Sequence, residues 1–120
     1  MKKNILLSFF LMFLLIPAIG YSHVGVVESS PPVDGIVTKH PEMITVNFGG
    51  SIEPAFSKVE VFDPNGEKVS TKCRFLEEDS VIEADLKENL PHGVYKVKWK
   101  VMSLDGHMLK GEFNFTIKNI

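Results

Sequence analysis

The sequence contains few of the residues on which common catalytic and metal sites are built. It has one cysteine, Cys73, in 120 residues, which excludes an internal disulfide framework and a zinc site made of several thiolates. It has no Gly-rich phosphate loop, no HExxH motif and no GxSxG motif, so the signatures of nucleotide binding, metalloproteases and serine hydrolases are missing. Basic residues are not in excess, since the formal net charge is −2, and this argues against nucleic acid as a partner.

The first 22 residues follow the order of regions in a secretory signal peptide. Two lysines at positions 2 and 3 precede an apolar run over residues 5–16, which is followed by Pro17 and by small residues over 18–22. An uncleaved membrane anchor is the alternative, but 18 uncharged residues lie at the lower limit for a spanning helix. Two cleavage points fit the rule for small residues, and they leave either Tyr21 or His23 as the first residue.

Removal of residues 1–22 leaves 98 residues, 23–120, with eleven basic and fifteen acidic side chains and a formal net charge of −4. This length suffices for one domain with a modest hydrophobic core. The sequence therefore predicts an exported, mildly acidic, single-domain protein in a periplasm, in the cell envelope or outside the cell.

Residues 23–120 read as short strands separated by turn signals, which is typical of a sandwich or barrel. Over residues 94–101, lysines at alternate positions face water while Tyr95, Val97, Trp99 and Val101 face the core. We predict an all-β fold, a cupredoxin-like or immunoglobulin-like antiparallel β-sandwich (Greek-key barrel). The predicted strands cover residues 43–48, 58–62, 67–71, 81–84, 94–101 and 112–117.

Asp105 and His107 lie between the two clearest strands and are two residues apart. An extended backbone directs side chains at this spacing to one side, where a carboxylate oxygen and an imidazole nitrogen can both bind a metal ion. Alone they are a weak signal, because Asp-Gly is a common hairpin turn and a metal site needs more convergent ligands.

His23 strengthens the prediction of a metal site at this pair if cleavage makes it the first residue. Its free α-amine and its Nδ1 can close a ring around one ion, and both groups lose their protons near neutral pH. With Asp105 and His107 the set has three nitrogens and one oxygen, which selects Cu(II) in a tetragonal plane. Zn(II) could use the same groups in a tetrahedron. This chemistry favours cleavage before His23 over cleavage before Tyr21.

The chain resembles the CopC/PcoC family of periplasmic or secreted copper-binding proteins over nearly all of residues 23–120. The most specific part is the family's G-x-Y-x-V-x-W-x-x-x-S-x-D-x-H-x-x-x-G-x-x-x-F pattern, which matches residues 93–115, and residues 28–35 (ESSPPVDG) resemble its S-x-P-x-x-G segment. The resemblance implies one Cu(II) per chain, held by His23, Asp105 and His107, with Trp99 nearby. It also implies copper exchange with a membrane copper transporter of the CopD type, here as a separate chain.

Two departures from the family pattern narrow the expected metal binding. Gly50 stands where some members carry an additional Glu, and residues 62–69 lack the methionines that some members use for Cu(I). Met102 and Met108 flank the Asp105–His107 pair and are expected to pack or to be partly exposed. The resemblance is therefore to a Cu(II)-only member.

The remaining candidate ligands are expected to have structural or solvated positions. Cys73 is expected to be a half-buried small residue, and Met43 to pack within its strand. His40 and His92 are expected to be solvated loop residues, with a weak secondary metal contact left open for His92.

Two other functions stay open. A histidine-brace copper oxygenase also combines an N-terminal His with a second His, but this domain is small and Tyr95 and Trp99 point inward. A metal-free immunoglobulin-like interaction domain requires only the fold. The preferred function is an exported Cu(II) carrier or buffer, with no enzymatic activity, no nucleic-acid partner and no small-molecule substrate.

Overall fold

A computed structural model describes residues 25–118 of the chain. The predicted signal peptide, residues 1–22, and the predicted ligand His23 lie outside the described residues. Within the described range the regular structure consists of eight strands and one 3₁₀ turn, Pro54–Phe56. The strands are β1 (Glu28–Ser30), β2 (Ile36–Val37), β3 (Met43–Asn47), β4 (Lys58–Phe62), β5 (Ser70–Leu76), β6 (Val81–Leu86), β7 (Gly93–Met102) and β8 (Met108–Ile117). Over 25–118, no helix has the length and apolar character needed to cross a membrane.

The strands form two four-stranded sheets, ordered β1-β3-β6-β5 and β2-β8-β7-β4, so the predicted all-β sandwich is confirmed. All neighbours pair antiparallel except β2 and β8, which are parallel. Apolar side chains from both sheets form the buried core between them. Its largest fully buried members are Tyr95, Phe48, Phe115, Ile44, Ile52 and Ile82.

Strands β7 and β8 show the alternation that the sequence predicts. Along β7, Tyr95, Val97 and Val101 are buried and the lysines between them are exposed. The rings of Tyr95 and Phe115 stack with centroids 5.2 Å apart, and the Tyr95 hydroxyl donates a hydrogen bond to the carbonyl of Pro91. Burial raises the pKa of Tyr95 to about 12, and the nearby charge of Asp63 adds to the shift.

The returning strand predicted over residues 67–71 is present only in part. Asp63 Oδ1 accepts backbone hydrogen bonds from residues 65 and 67 at 2.8 and 2.9 Å, and the chain then returns antiparallel to β4. Lys68 forms an isolated bridge with Phe62, and the Val69 N–H donates to the Val61 carbonyl at 2.8 Å. The chain then crosses to the other sheet, where β5 begins at Ser70. The Ser70 hydroxyl accepts a hydrogen bond from the Val61 N–H at 3.0 Å and ties the crossing to β4.

Three side chains lie elsewhere than expected. Cys73 is exposed rather than half-buried, because it lies on β5 at the edge of its sheet. Met43 is 36% exposed and does not pack in the core. His40 is half-buried with its Nε2 shielded from solvent and without a hydrogen-bond partner among the described residues, whereas His92 is exposed as predicted.

Trp99 lies over a glycine on the neighbouring strand. Gly111 is directly opposite Trp99 in the β7–β8 ladder, and a Cβ at Gly111 would stand 2.5 Å from Cζ2 and 2.8 Å from Cε2 of the indole. The half-buried indole also contacts Phe48 edge-on, with ring centroids 5.5 Å apart. The ring therefore has this position only because residue 111 lacks a side chain.

We expect Gly111→Ala to displace the Trp99 ring and to lower the free energy of unfolding by about 1–3 kcal/mol, as overpacking does. Chemical denaturation followed by Trp99 emission measures both effects. Gly25→Ala is the matched control, because a Cβ there meets nothing within 4 Å. Unchanged stability and emission in Gly111→Ala would contradict the close contact.

Candidate metal centre

Residues 103–107 form the tip of the β7–β8 hairpin. The Ser103 N–H donates to the His107 carbonyl at 2.9 Å, and the Gly106 N–H donates to the Ser103 carbonyl at 3.0 Å. Gly106 has a φ of +91°, in the left-handed region that glycine adopts without strain. Backbone hydrogen bonds therefore close the tip and hold residues 105 and 107 in defined positions.

The structure brings the predicted pair together at this tip. His107 Nδ1 lies 3.1 Å from Asp105 Oδ1, and the two side chains are 79% and 69% exposed. The His107 backbone N–H also points to Asp105 Oδ1 at 3.4 Å. An imidazole and a carboxylate thus share one solvent-facing position, although a turn and not the expected extended backbone brings them together.

Ser103 positions the carboxylate. Its hydroxyl donates to Asp105 Oδ1 and accepts from the His107 N–H at 3.2 Å. The Ser103 hydroxyl, followed by the His107 side chain, holds the pKa of the Asp105 carboxyl below its usual value, because both contacts favour the ionised form. Ser103 was not predicted as a site residue, although its two-residue spacing from Asp105 is the available signal.

Two donor atoms remain free to bind a metal ion. When Nδ1 of His107 carries the proton directed at Asp105, Nε2 keeps its lone pair, and no hydrogen bond among residues 25–118 occupies Asp105 Oδ2. In that part of the chain no group of three or more His, Cys, Asp and Glu could hold a metal. The pair fits one imidazole nitrogen and one carboxylate oxygen of a metal site, and further ligands must come from elsewhere.

The first described residues lie at the same end of the sandwich as this hairpin. The Val27 N–H donates to the Asn47 carbonyl at 2.9 Å, so the segment preceding β1 runs antiparallel to β3 and past its last residue. Beyond β3, Ile52 forms a bridge with Ser103. The described chain therefore starts at Gly25 on the side where the hairpin tip lies.

The two methionines that flank the pair are direct cross-strand neighbours, Met102 opposite Met108. Met102 is half-buried and Met108 is 40% exposed. This partial exposure agrees with the expectation for both residues.

Comparisons of the chain with a family profile and with known proteins point to the same family. The sequence profile of the CopC domain matches residues 26–118. The chain is 33% identical over 122 residues to the copper transport protein CutJ of Bacillus subtilis, an alignment that covers 98% of this chain and 22% of CutJ. The chain thus spans about a fifth of the length of that relative.

Solved structures share the fold. The crystal structure of CopC from Methylosinus trichosporium OB3b superposes with a TM-score of 0.73 at 31% identity, covering 81% of this chain and 95% of that one. PcoC, described as a methionine rich copper resistance protein from Escherichia coli, gives a TM-score of 0.69 at 27% identity, covering 81% and 100%. These similarities extend over most of both chains.

We expect Ser103→Ala to raise the pKa of the Asp105 carboxyl towards its ordinary value, because the ionised form loses the hydroxyl donor. A carbon-13 NMR titration of the side-chain carboxyl in chelator-treated protein measures the shift. Ser51→Ala serves as control, since the Ser51 hydroxyl bonds the carbonyl of Glu78 and does not contact Asp105. An Asp105 pKa that is the same in Ser103→Ala and in the unaltered protein would contradict the positioning role.

Proposed function

Since the chain belongs to the CopC domain family, we propose that it is an exported copper-binding protein that carries or buffers one Cu(II) ion. The observation that carries this proposal is the Asp105–His107 pair, with Nδ1 and Oδ1 3.1 Å apart on an exposed hairpin tip. CutJ is a copper transport protein and PcoC a copper resistance protein, and the similarity to both supports copper as the ion.

The proposed ligands are the amine and imidazole of His23, one nitrogen of His107 and one oxygen of Asp105. The position of Gly25 supports this set, because only Val24 lies between it and His23 and an extended chain advances about 3.3–3.6 Å per residue. Three nitrogens and one oxygen suit Cu(II), which binds such sites more tightly than Zn(II) does. Ser103 would keep the Asp105 carboxylate ionised and oriented.

The proposed role is transfer or buffering rather than catalysis. Both described ligand side chains are more than two-thirds exposed, so another protein's donor atoms could approach a bound ion. A membrane copper transporter of the CopD type is the proposed exchange partner. Cleavage after residue 22 would place the protein in a periplasm, in the cell envelope or outside the cell, with His23 as its first residue.

We expect an additional alanine before His23 to weaken Cu(II) binding by more than about tenfold, equivalent to 1.4 kcal/mol. The extension turns the chelating amine into an amide, which cannot bind as the amine does. Competition with a chromophoric chelator gives the affinity, and intact mass establishes the first residue of each protein. Equal affinities of the extended protein and the protein that starts at His23 would refute the proposed chelate.

We expect Asp105→Asn and His107→Ala to change the EPR parameters of the Cu(II)-loaded protein, since each removes or replaces a ligand in the tetragonal plane. His92→Ala is the matched control, because His92 is exposed in a loop outside the hairpin tip. Spectra identical to that of the unaltered protein in both hairpin variants would exclude these two residues as ligands. A change in His92→Ala would instead reveal an additional contact.

A further inference from the structure

The solvent-facing side of β4, β7 and β8 is basic although the protein is acidic. We call this surface the lysine face, and its lysines are Lys58, Lys96, Lys98, Lys100 and Lys110, all exposed. The same side of these strands carries only two acidic residues, Glu60 and Glu112, so its net charge is +3. Residues 25–118 together carry eleven basic and fifteen acidic side chains, which leaves a net charge of −7 on the remaining residues.

Two neighbouring cross-strand rows of the lysine face differ in charge pattern. In one row Lys98 stands opposite Glu60 on β4 and Glu112 on β8, so the charge alternates in sign across the three strands. In the adjacent row Lys100 stands opposite Lys58 and Lys110. Like charges directly opposite each other destabilise a sheet, and this second row consists of three of them.

Nearby carboxylates contact only one lysine of this row, Lys58. Glu60 contacts Lys58 and Lys68 at 3.4 and 3.3 Å, while Glu112 contacts Lys96 at 3.6 Å. In the part of the chain that the structure describes, Lys100 and Lys110 have no carboxylate within 4 Å. Proteins tend to retain locally destabilising arrangements at functional sites. The three like charges of this row are such an arrangement, which indicates a function for it.

We propose that the Lys58–Lys100–Lys110 row is a docking surface for an acidic patch on a partner protein. A protein partner can present carboxylates to this row and leave the neighbouring glutamates free. A uniformly anionic lipid surface would also face the glutamates of the adjacent row and the exposed carboxylate of Asp105. Leu104 and Met108, 64% and 40% exposed at the hairpin tip, add the apolar contacts that protein interfaces have beside their charges.

The position of the row defines where such a partner would lie. Lys100 and Lys110 face each other two register positions, about 7 Å along the strands, before Met102 and Met108, the last pair ahead of the tip that carries Asp105 and His107. A docked protein would therefore sit beside the hairpin tip. This inference goes beyond copper binding and does not depend on it, since the row and its charges need no bound ion.

The binding test uses a synthetic ten-residue polyglutamate peptide as the probe, with a polyglutamine peptide as its neutral counterpart. In a nitrogen-15 NMR titration we expect saturable shifts at the amides of β4, β7 and β8, weakened by salt, and no shifts with polyglutamine. Lys100→Gln with Lys110→Gln should weaken polyglutamate binding at least about threefold, because two surface ion pairs are lost. Lys39→Gln with Lys87→Gln removes the same charge from exposed positions outside the face and should not.

Equal weakening by the two double variants would show attraction to overall charge and would overturn the proposal. Vesicles of phosphatidylglycerol and phosphatidylcholine form the second arm. Binding to these vesicles that Lys100→Gln with Lys110→Gln abolishes, without a polyglutamate effect, would assign the row to lipid instead.

A stability measurement separates docking from a structural role. Lys100→Glu places a carboxylate between Lys58 and Lys110, so we expect its melting temperature to rise by about 2–5 °C while polyglutamate binding falls. A lower melting temperature, or a higher one with unchanged binding, would overturn the proposal. Copper affinity enters neither readout, so these outcomes are distinct from failure of the copper site.

Discussion

The antiparallel ladder between β7 and β8 is the constraint on which the rest of the structure depends. It pairs ten residues of each strand, from Gly93 with Ile117 to Met102 with Met108. Its inner side supplies Tyr95, Phe113 and Phe115 to the core, its outer side carries the lysine face, and its end forms the hairpin tip. Because successive side chains point to opposite sides, a shift of one residue would exchange core and surface throughout. One register therefore positions the core, the candidate ligands and the charged face together.

The sequence predicts those strands whose apolar and polar side chains alternate regularly. β7 and β8 alternate over ten residues each, so their existence and their inward faces follow from residue type. β1 and β2 were missed because three and two residues cannot display a period. Only the first part of the segment over 67–71 returns along β4, because a turn signal specifies a change of direction and not how long the chain then stays in the same sheet. Exposure of Cys73 depends on strand order, which no local pattern contains.

The candidate site, too, has features that the sequence predicts and features that it does not. The spacing of Asp105 and His107 predicted that their side chains meet, on the assumption of an extended backbone. The two side chains do meet, but a tight turn with Gly106 at positive φ brings them together. Ser103 was not recognised because its role requires the closed turn, in which its hydroxyl and the His107 N–H both approach Asp105 Oδ1. The contribution of His23 stays a prediction, because it depends on a cleavage event and on residues outside the described range.

The exposure of the hairpin tip is relevant to whether a site there would retain a metal ion or exchange it with another protein. Structural metal sites are closed, with every coordination position taken by protein ligands in a buried setting. Here the candidate ligand side chains of Asp105 and His107 face solvent, and their orientation comes from a turn and one serine rather than from core packing. An ion bound at such a tip can be approached from outside, so a competing ligand can enter before the resident ones leave. A surface pair on a register-fixed hairpin therefore combines defined geometry with access, which suits exchange better than permanent retention.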